Sequence, residues 1–160
     1  MKFKLSYAKG LRFGVASGII TTLGMMVGLA SGTGSKVAVV GGILTIALAD
    51  AMSDAFGIHL SEKSSKKNEK SEIWEATVAT FLAKLIFAST FLIPVLFLEL
   101  NMALWVSIGW GLLLLMLISL LIAHWRGDSK LRMVAEHWLM ATVVITLTHF
   151  LGRTIAYYFN

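Results

Sequence analysis

Residues 37–60 read VAVVGGILTIALADAMSDAFGIHL, an apolar stretch that holds two aspartates one helical turn apart. A helix needs roughly 20 mostly apolar residues to cross the hydrocarbon core of a bilayer, and this stretch is long enough. Asp50 and Asp54 would then lie inside the membrane, on one face of that helix. The stretch predicts an all-α integral membrane protein and also indicates where its function lies.

Four more stretches of the same kind flank this one. The five predicted spans cover residues 11–30, 37–60, 73–98, 102–123 and 131–158. Strands of a transmembrane β-barrel are about half as long and alternate apolar with polar residues, so these continuous runs favour helices. We predict one transmembrane domain over residues 1–160, with a charged loop at residues 61–72.

The composition agrees with a membrane environment. Of the 160 residues 57% are hydrophobic and only 14% are charged, and the mean hydropathy is +0.78. A soluble domain is nearer a quarter charged. The absence of cysteine excludes disulfides, thiolate metal sites and cysteine nucleophiles. The net charge of +5 sits in clusters between the spans, which indicates membrane topology rather than a nucleic-acid partner.

The basic residues predict the orientation. Three clusters fall on one side of the membrane, and only Lys36 falls on the other. The clusters are Lys2, Lys4, Lys9 and Arg12; Lys63, Lys66, Lys67 and Lys70; and Arg126, Lys130 and Arg132. Positive residues favour the cytoplasm, so we expect the N-terminus inside, the C-terminus outside, and the cell membrane as location. A cleaved signal peptide over residues 1–32 is the alternative, but the many small residues there are typical of a packed helix.

Small and hydroxylated residues form a stripe along the first span. Ser17, Thr21, Gly24 and Gly28 recur at helical spacing. Small residues let helices approach closely in lipid, so the stripe predicts a helix–helix contact such as a dimer interface. The alternative is that this face lines a polar path.

The paired aspartates are the candidate functional groups. Placing a charged carboxylate at the centre of a bilayer costs about 2.5 to 3.5 kcal/mol on insertion scales. A carboxylate in this position is therefore a functional candidate by default. Two of them one turn apart must share a proton, pair with a cation or bind a metal. Oxygen ligands suit Mn²⁺, Fe²⁺ or Mg²⁺. Ser17, Thr21 and Met52 are the candidate auxiliary ligands of Asp50 and Asp54.

Lys84 in the third span offers a competing explanation. A lysine inside the membrane needs a carboxylate, and Asp50 or Asp54 is the obvious partner. The acids would then form a structural ion pair that locks the bundle of a non-transporting scaffold. Alternatively, Lys84 could release an acid when a cation binds and so take part in proton coupling.

The charged loop interleaves glutamates with four lysines. The acidic residues of the loop are Glu62, Glu69 and Glu72, and Glu75 follows just after it. They form either solvated helix extensions or a weak cytoplasmic entrance that collects cations. His-Glu-x-x-His and Gly-x-Ser-x-Gly motifs are both absent from the sequence, so we expect neither an enzyme nor a permanently bound cofactor.

Several segments resemble, in order, the vacuolar iron transporter family of Fe/Mn transporters. They are Gly14–Thr22 and Gly28–Ser31 in the first span, His59–Ser64 after the second, Leu92–Leu96 in the third and Ser129–Met133 before the fifth. The resemblance implies a five-helix homodimer that moves Fe²⁺ or Mn²⁺ out of the cytoplasm, in exchange for protons. Its pathway would lie between the first and second helices of the two subunits.

The chain also departs from that pattern. The family's first-helix aspartate falls on Ser17, a second-helix glutamate on Ile46, and a methionine position on Asp54. Asp50 stands where the family is usually small, and the large glutamate-rich cytoplasmic domain is reduced to a short loop. The resemblance therefore implies a rebuilt ligand set, and transport of a different solute is a third possibility.

Overall fold

The structure is a computed structural model that describes residues 2–65 and 69–159, with side chains from residue 5. Its helices are α1 (Lys2–Thr33), α2 (Lys36–Thr45), a π-helical turn (Ile46–Asp50), α3 (Ala51–Ser64), α4 (Lys70–Thr90), α5 (Leu92–Phe97), α6 (Leu100–Arg126) and α7 (Lys130–Phe159). No strand occurs in the described ranges. Lys66 and Lys67 of the predicted loop lie outside them.

Five helical stretches are long and apolar enough to cross a membrane. We call them the first to fifth spans: Leu5–Thr33, Lys36–Ser64, Lys70–Phe97, Leu100–Arg126 and Lys130–Phe159. The predicted spans are thereby confirmed as helices of spanning length, each extending beyond its predicted bounds by up to several residues at one or both ends. Their orientation in the membrane stays a prediction.

The turn between the first two spans is shorter than predicted. The N–H of Gly34 still donates to the carbonyl of Ala30 at 2.9 Å, so the helix continues through the small residues that predicted a loop. Gly34 then takes a left-handed φ of +60°, which an L side chain rarely adopts. Ser35 caps the next helix by accepting from the N–H of Ala38 at 3.2 Å.

The third span is interrupted near its C-terminal end. The ring of Pro94 clashes with the carbonyl four residues earlier in a continuous helix, and α4 ends at that residue, Thr90. Lys36 donates to the carbonyls of Leu96 and Leu98, both at 3.1 Å. Its positive charge also suits the negative end of the helix dipole, so Lys36 ties the second span to the end of the third.

The first span lies at the centre of the bundle and contacts all four others. Two rows of glycines make these contacts close. Gly10, Gly14 and Gly18 face the third span, while Gly24, Gly28 and Gly32 face the fifth. A Cβ at Gly14 would lie 2.5 Å from the carbonyl oxygen of Thr80. The predicted helix–helix contact is therefore made within the chain, because the backbones touch where side chains are missing.

The second span packs mainly on the first and third, and its remaining side is open. This side carries a row of small residues four apart, which we call the small-residue face: Gly41, Thr45, Ala49, Ser53 and Gly57, all exposed. A Cβ built at Gly41 or Gly57 meets nothing within 4 Å. The π-helical turn interrupts the span and ends at its first acidic residue, Asp50.

Candidate functional site

The site centres on Lys84, whose side chain is fully buried in the third span. Gly18 of the first span leaves room for it, since a Cβ there would lie 3.2 Å from Cγ of Lys84. The ammonium forms ion pairs with both Asp50 and Asp54 of the second span. It also donates a hydrogen bond to the Ser17 hydroxyl at 2.9 Å. Residues from three spans therefore meet at one buried cation.

Asp54 is the better satisfied of the two carboxylates. Its Oδ2 accepts from the Ser17 hydroxyl at 2.6 Å and also from the Lys84 ammonium. Ser17 is thus both donor and acceptor, and completes a triangle with the two charged groups. A buried ion pair needs such additional hydrogen bonds to offset the loss of water.

Asp50 is held by charge alone. Its Oδ2 lies 2.6 Å from Nζ of Lys84, but that oxygen is buried and makes no hydrogen bond within the described residues. Asp50 is the last residue of the π-helical turn. Such turns insert an extra residue into a helix and are frequent at functional sites. Its side chain remains 33% exposed, against 22% for Asp54, so the cluster opens toward the uncovered side of the span.

The formal charges of the cluster do not balance. Two carboxylates face one ammonium, which leaves one negative charge at the membrane interior when all three groups are ionised. A charge in this position is costly unless a cation or a proton neutralises it. Asp50, with no hydrogen bond, is the carboxylate in excess. The arrangement can therefore hold one further positive species beside Lys84.

The other two predicted ligands do not reach the carboxylates. Thr21 donates its hydroxyl to the carbonyl of Ser17, one turn back on its own helix, at 2.8 Å. Met52 is 60% exposed and lines a groove on another side of the second span. The oxygen atoms of Asp50, Asp54 and Ser17 are what the structure brings together. The described residues contain no group of three or more His, Cys, Asp or Glu suited to a metal ion.

The predicted entrance glutamates are spread over separate contacts. Glu62 is buried and forms an ion pair with Lys9 of the first span. Glu69 and Glu72 form a capping box at the start of α4, in which Oε2 of Glu72 accepts from the N–H of Glu69 at 3.1 Å. Glu75 has a buried Oε2 that makes no hydrogen bond to a described residue. Two of them thus order the start of α4, and a third pairs with the first span.

Sequence reasoning missed two features of this region. Nothing in the pattern of residues 46–50 distinguishes a π-helical turn from an ordinary one. The sequence also left open which acid pairs with Lys84, whereas the structure pairs it with both. The second point had a signal, because two acids spaced by four lie on one helix face and can reach one partner.

Compared with protein-family models, with curated proteins and with solved structures, the chain has no significant match. The resemblance to the vacuolar iron transporter family therefore has no support beyond the residues that carry it.

Proposed function

We propose that the protein transports a cation across the membrane, with Asp50 and Asp54 as its ligands and Lys84 as a resident counter-charge. The observation that supports this is the excess carboxylate. A structural lock around one lysine needs one acid, and Asp54 with Ser17 already provides it. Asp50 adds a second charge that gains no hydrogen bond in the described structure. Its cost is accounted for if a mobile cation and a proton neutralise it in turn.

The ligand chemistry narrows the proposed ion. Carboxylate and hydroxyl oxygens from Asp50, Asp54 and Ser17 suit hard or borderline divalent cations such as Mn²⁺, Fe²⁺ and Mg²⁺. Met52, with its soft thioether sulfur, lines a groove on another side of the span. The resemblance favours Fe²⁺ or Mn²⁺, moved out of the cytoplasm in exchange for protons. Cation, proton and lipid bilayer are thus the proposed partners, in a cell membrane with the N-terminus inside.

We further propose that the working unit is a homodimer. The small-residue face of the second span is open, and small residues spaced by four are how helices associate in lipid. Asp50 and Asp54 adjoin this face and are partly exposed beside it. A second copy on this face would shield the carboxylates from lipid and would enclose the cation path between subunits.

Proteoliposomes test the transport proposal. The purified chain would be reconstituted with a Mn²⁺-quenched dye and a pH reporter inside the vesicles. We expect Mn²⁺ uptake with an opposing proton flux, and uptake at least about tenfold slower in Asp50→Asn. Mutating a residue that only hydrogen-bonds to a metal ligand lowers metal affinity or activity about 10- to 100-fold. Asp50 would itself be a ligand, so its loss should have at least the smaller of these effects.

Asp128→Asn is the matched control, because Asp128 is an exposed loop acid that forms an ion pair with Arg126 far along the chain from the cluster. Its uptake should equal that of the unchanged protein. The proposal is wrong if the unchanged protein moves no Mn²⁺, Fe²⁺ or Mg²⁺. It is equally wrong if Asp50→Asn combined with Asp54→Asn transports at the original rate.

The alternative function, a membrane scaffold locked by its ion pairs, is favoured by the complete burial of Lys84. If the ion pairs only lock the bundle, the unchanged protein moves no ion, and replacing the cluster by Asp50→Asn, Asp54→Asn and Lys84→Met together leaves the fold and any assembly intact. Under the transport proposal the unchanged protein moves Mn²⁺, whereas the same triple variant folds but moves no ion.

A further inference from the structure

A groove separate from the charged cluster runs between the second and third spans. It has a volume of about 390 Å³, with Met52, Phe56 and His59 on one wall and Trp74, Val78 and Phe81 on the other. Phe56 follows Asp54 by two residues, which places it about 200° around the helix from that carboxylate. The groove therefore lies on a different side of the span from the aspartates.

One end of the groove is closed by a histidine and a tryptophan. His59 shares a hydrogen bond with the Thr77 hydroxyl at 3.1 Å. Its ring stands edge-on to Trp74, with centroids 4.9 Å apart and planes at 65°. Side chains with an apolar body and a polar tip are typical of the membrane–water boundary. This end therefore lies at headgroup depth, and the apolar remainder lies among acyl chains.

Two lysines continue the walls beyond that end. Lys63 follows His59 by four residues and Lys70 precedes Trp74 by four, so each lies on the row that lines the groove. Both are exposed, and neither forms an ion pair with a described residue. The buried glutamates beside them, Glu62 and Glu72, turn inward to Lys9 and to the start of α4.

The groove spans most of one leaflet. From Met52 to His59, its last lining residue on the second span, the helix rises about 10 Å, against about 15 Å for half of a hydrocarbon core. Lys63 lies one further turn along the same helix. An apolar channel of this length that ends between two ammonium groups fits a lipid with a negative headgroup. Lys63 and Lys70 would flank the phosphate, and the acyl chain would follow Phe56 and Val78 toward Met52.

We propose that this groove is a binding site for one anionic phospholipid from the leaflet on the side of the N-terminus. The site is independent of cation transport, since none of the proposed ion ligands Asp50, Asp54 and Ser17 lines the groove. Anionic lipid would then bridge the second and third spans directly behind the acidic cluster.

Native mass spectrometry of the detergent-solubilised full chain tests the site. Phosphatidylglycerol and phosphatidylcholine with identical acyl chains would be added, and the retained lipid counted per protein. We expect selective retention of one phosphatidylglycerol. Lys63→Gln with Lys70→Gln should reduce that preference about 30-fold, because each lysine near an anionic surface contributes about a factor of five.

Two further variants make the outcome specific. Val78→Trp adds bulk at an exposed wall position without touching the core, and should lower retention of phosphatidylglycerol with both lysines in place. Lys130→Gln with Arg132→Gln removes two charges from the start of the fifth span, at the same end of the bundle, and should change nothing. The proposal is overturned if the unchanged protein retains phosphatidylglycerol and phosphatidylcholine equally. It is also overturned if the control variant loses as much phosphatidylglycerol as Lys63→Gln with Lys70→Gln. A fall from dimer to monomer mass with Val78→Trp would instead identify the groove as a contact between copies and would also overturn it.

Discussion

The first and second spans are both rich in small residues, yet the structure uses them in opposite ways. Half of the most apolar window of the first span is buried, against 22% for the second. A Cβ built at any of the six glycines that face the third or fifth span would come within 3.4 Å of a neighbouring atom, whereas one built at Gly41 or Gly57 of the second meets nothing within 4 Å. Small residues in a membrane helix therefore show that close approach is possible, but the partner depends on where the helix sits in the bundle.

The charged cluster joins these two regions, and breaking it has the largest expected effect. Lys84→Met removes the buried cation and leaves two carboxylates without their partner. Loss of one member of a buried ion pair costs about 3 to 5 kcal/mol. The free energy of unfolding, measured by circular dichroism during titration of mixed micelles with dodecyl sulfate, should fall by that amount.

Restoring the original net charge of the cluster should recover much of this loss. Adding Asp54→Asn to Lys84→Met leaves one carboxylate, Asp50, partly exposed beside the open face. If the double variant is no more stable than Lys84→Met alone, charge imbalance is not what destabilises the single variant.

Next in size is the close packing of the first span. A Cβ at Gly14 would lie 2.5 Å from the carbonyl oxygen of Thr80 and 2.9 Å from Cβ of Ala83. The Gly14→Ala variant must therefore separate the first and third spans, and overpacking of this kind costs about 1 to 3 kcal/mol. The same detergent titration measures it. An increase in stability, as an isolated helix would show, would contradict the contact.

The smallest effect is expected at the open face. Gly57→Leu should leave the stability of the single chain unchanged or raise it by at most about 1 kcal/mol, because leucine is the better helix former and meets no neighbour. The same variant should shift the monomer–dimer equilibrium toward monomer, as measured by analytical ultracentrifugation in detergent. If Gly57→Leu lowers the free energy of unfolding as much as Gly14→Ala is expected to, the two spans do not differ as described. If it leaves a dimer intact, that dimer uses another surface.

The sequence by itself determined the five helices and the residues of the candidate site. Apolar runs of bilayer length leave the chain little choice, because lipid cannot satisfy an exposed backbone. The cost of burying charge also identified Asp50, Asp54 and Lys84. The same reasoning predicted close helix contacts from the small residues of the first span, and the structure confirms them.

The tertiary structure alone decided how these elements combine. It pairs Lys84 with both acids and adds Ser17, while Met52 and Thr21 turn to other contacts. It also distinguishes the glycines that touch a neighbour from those that face outward. The reason is physical: spacing along one helix fixes which residues share a face, but only the arrangement of all five helices fixes what that face meets.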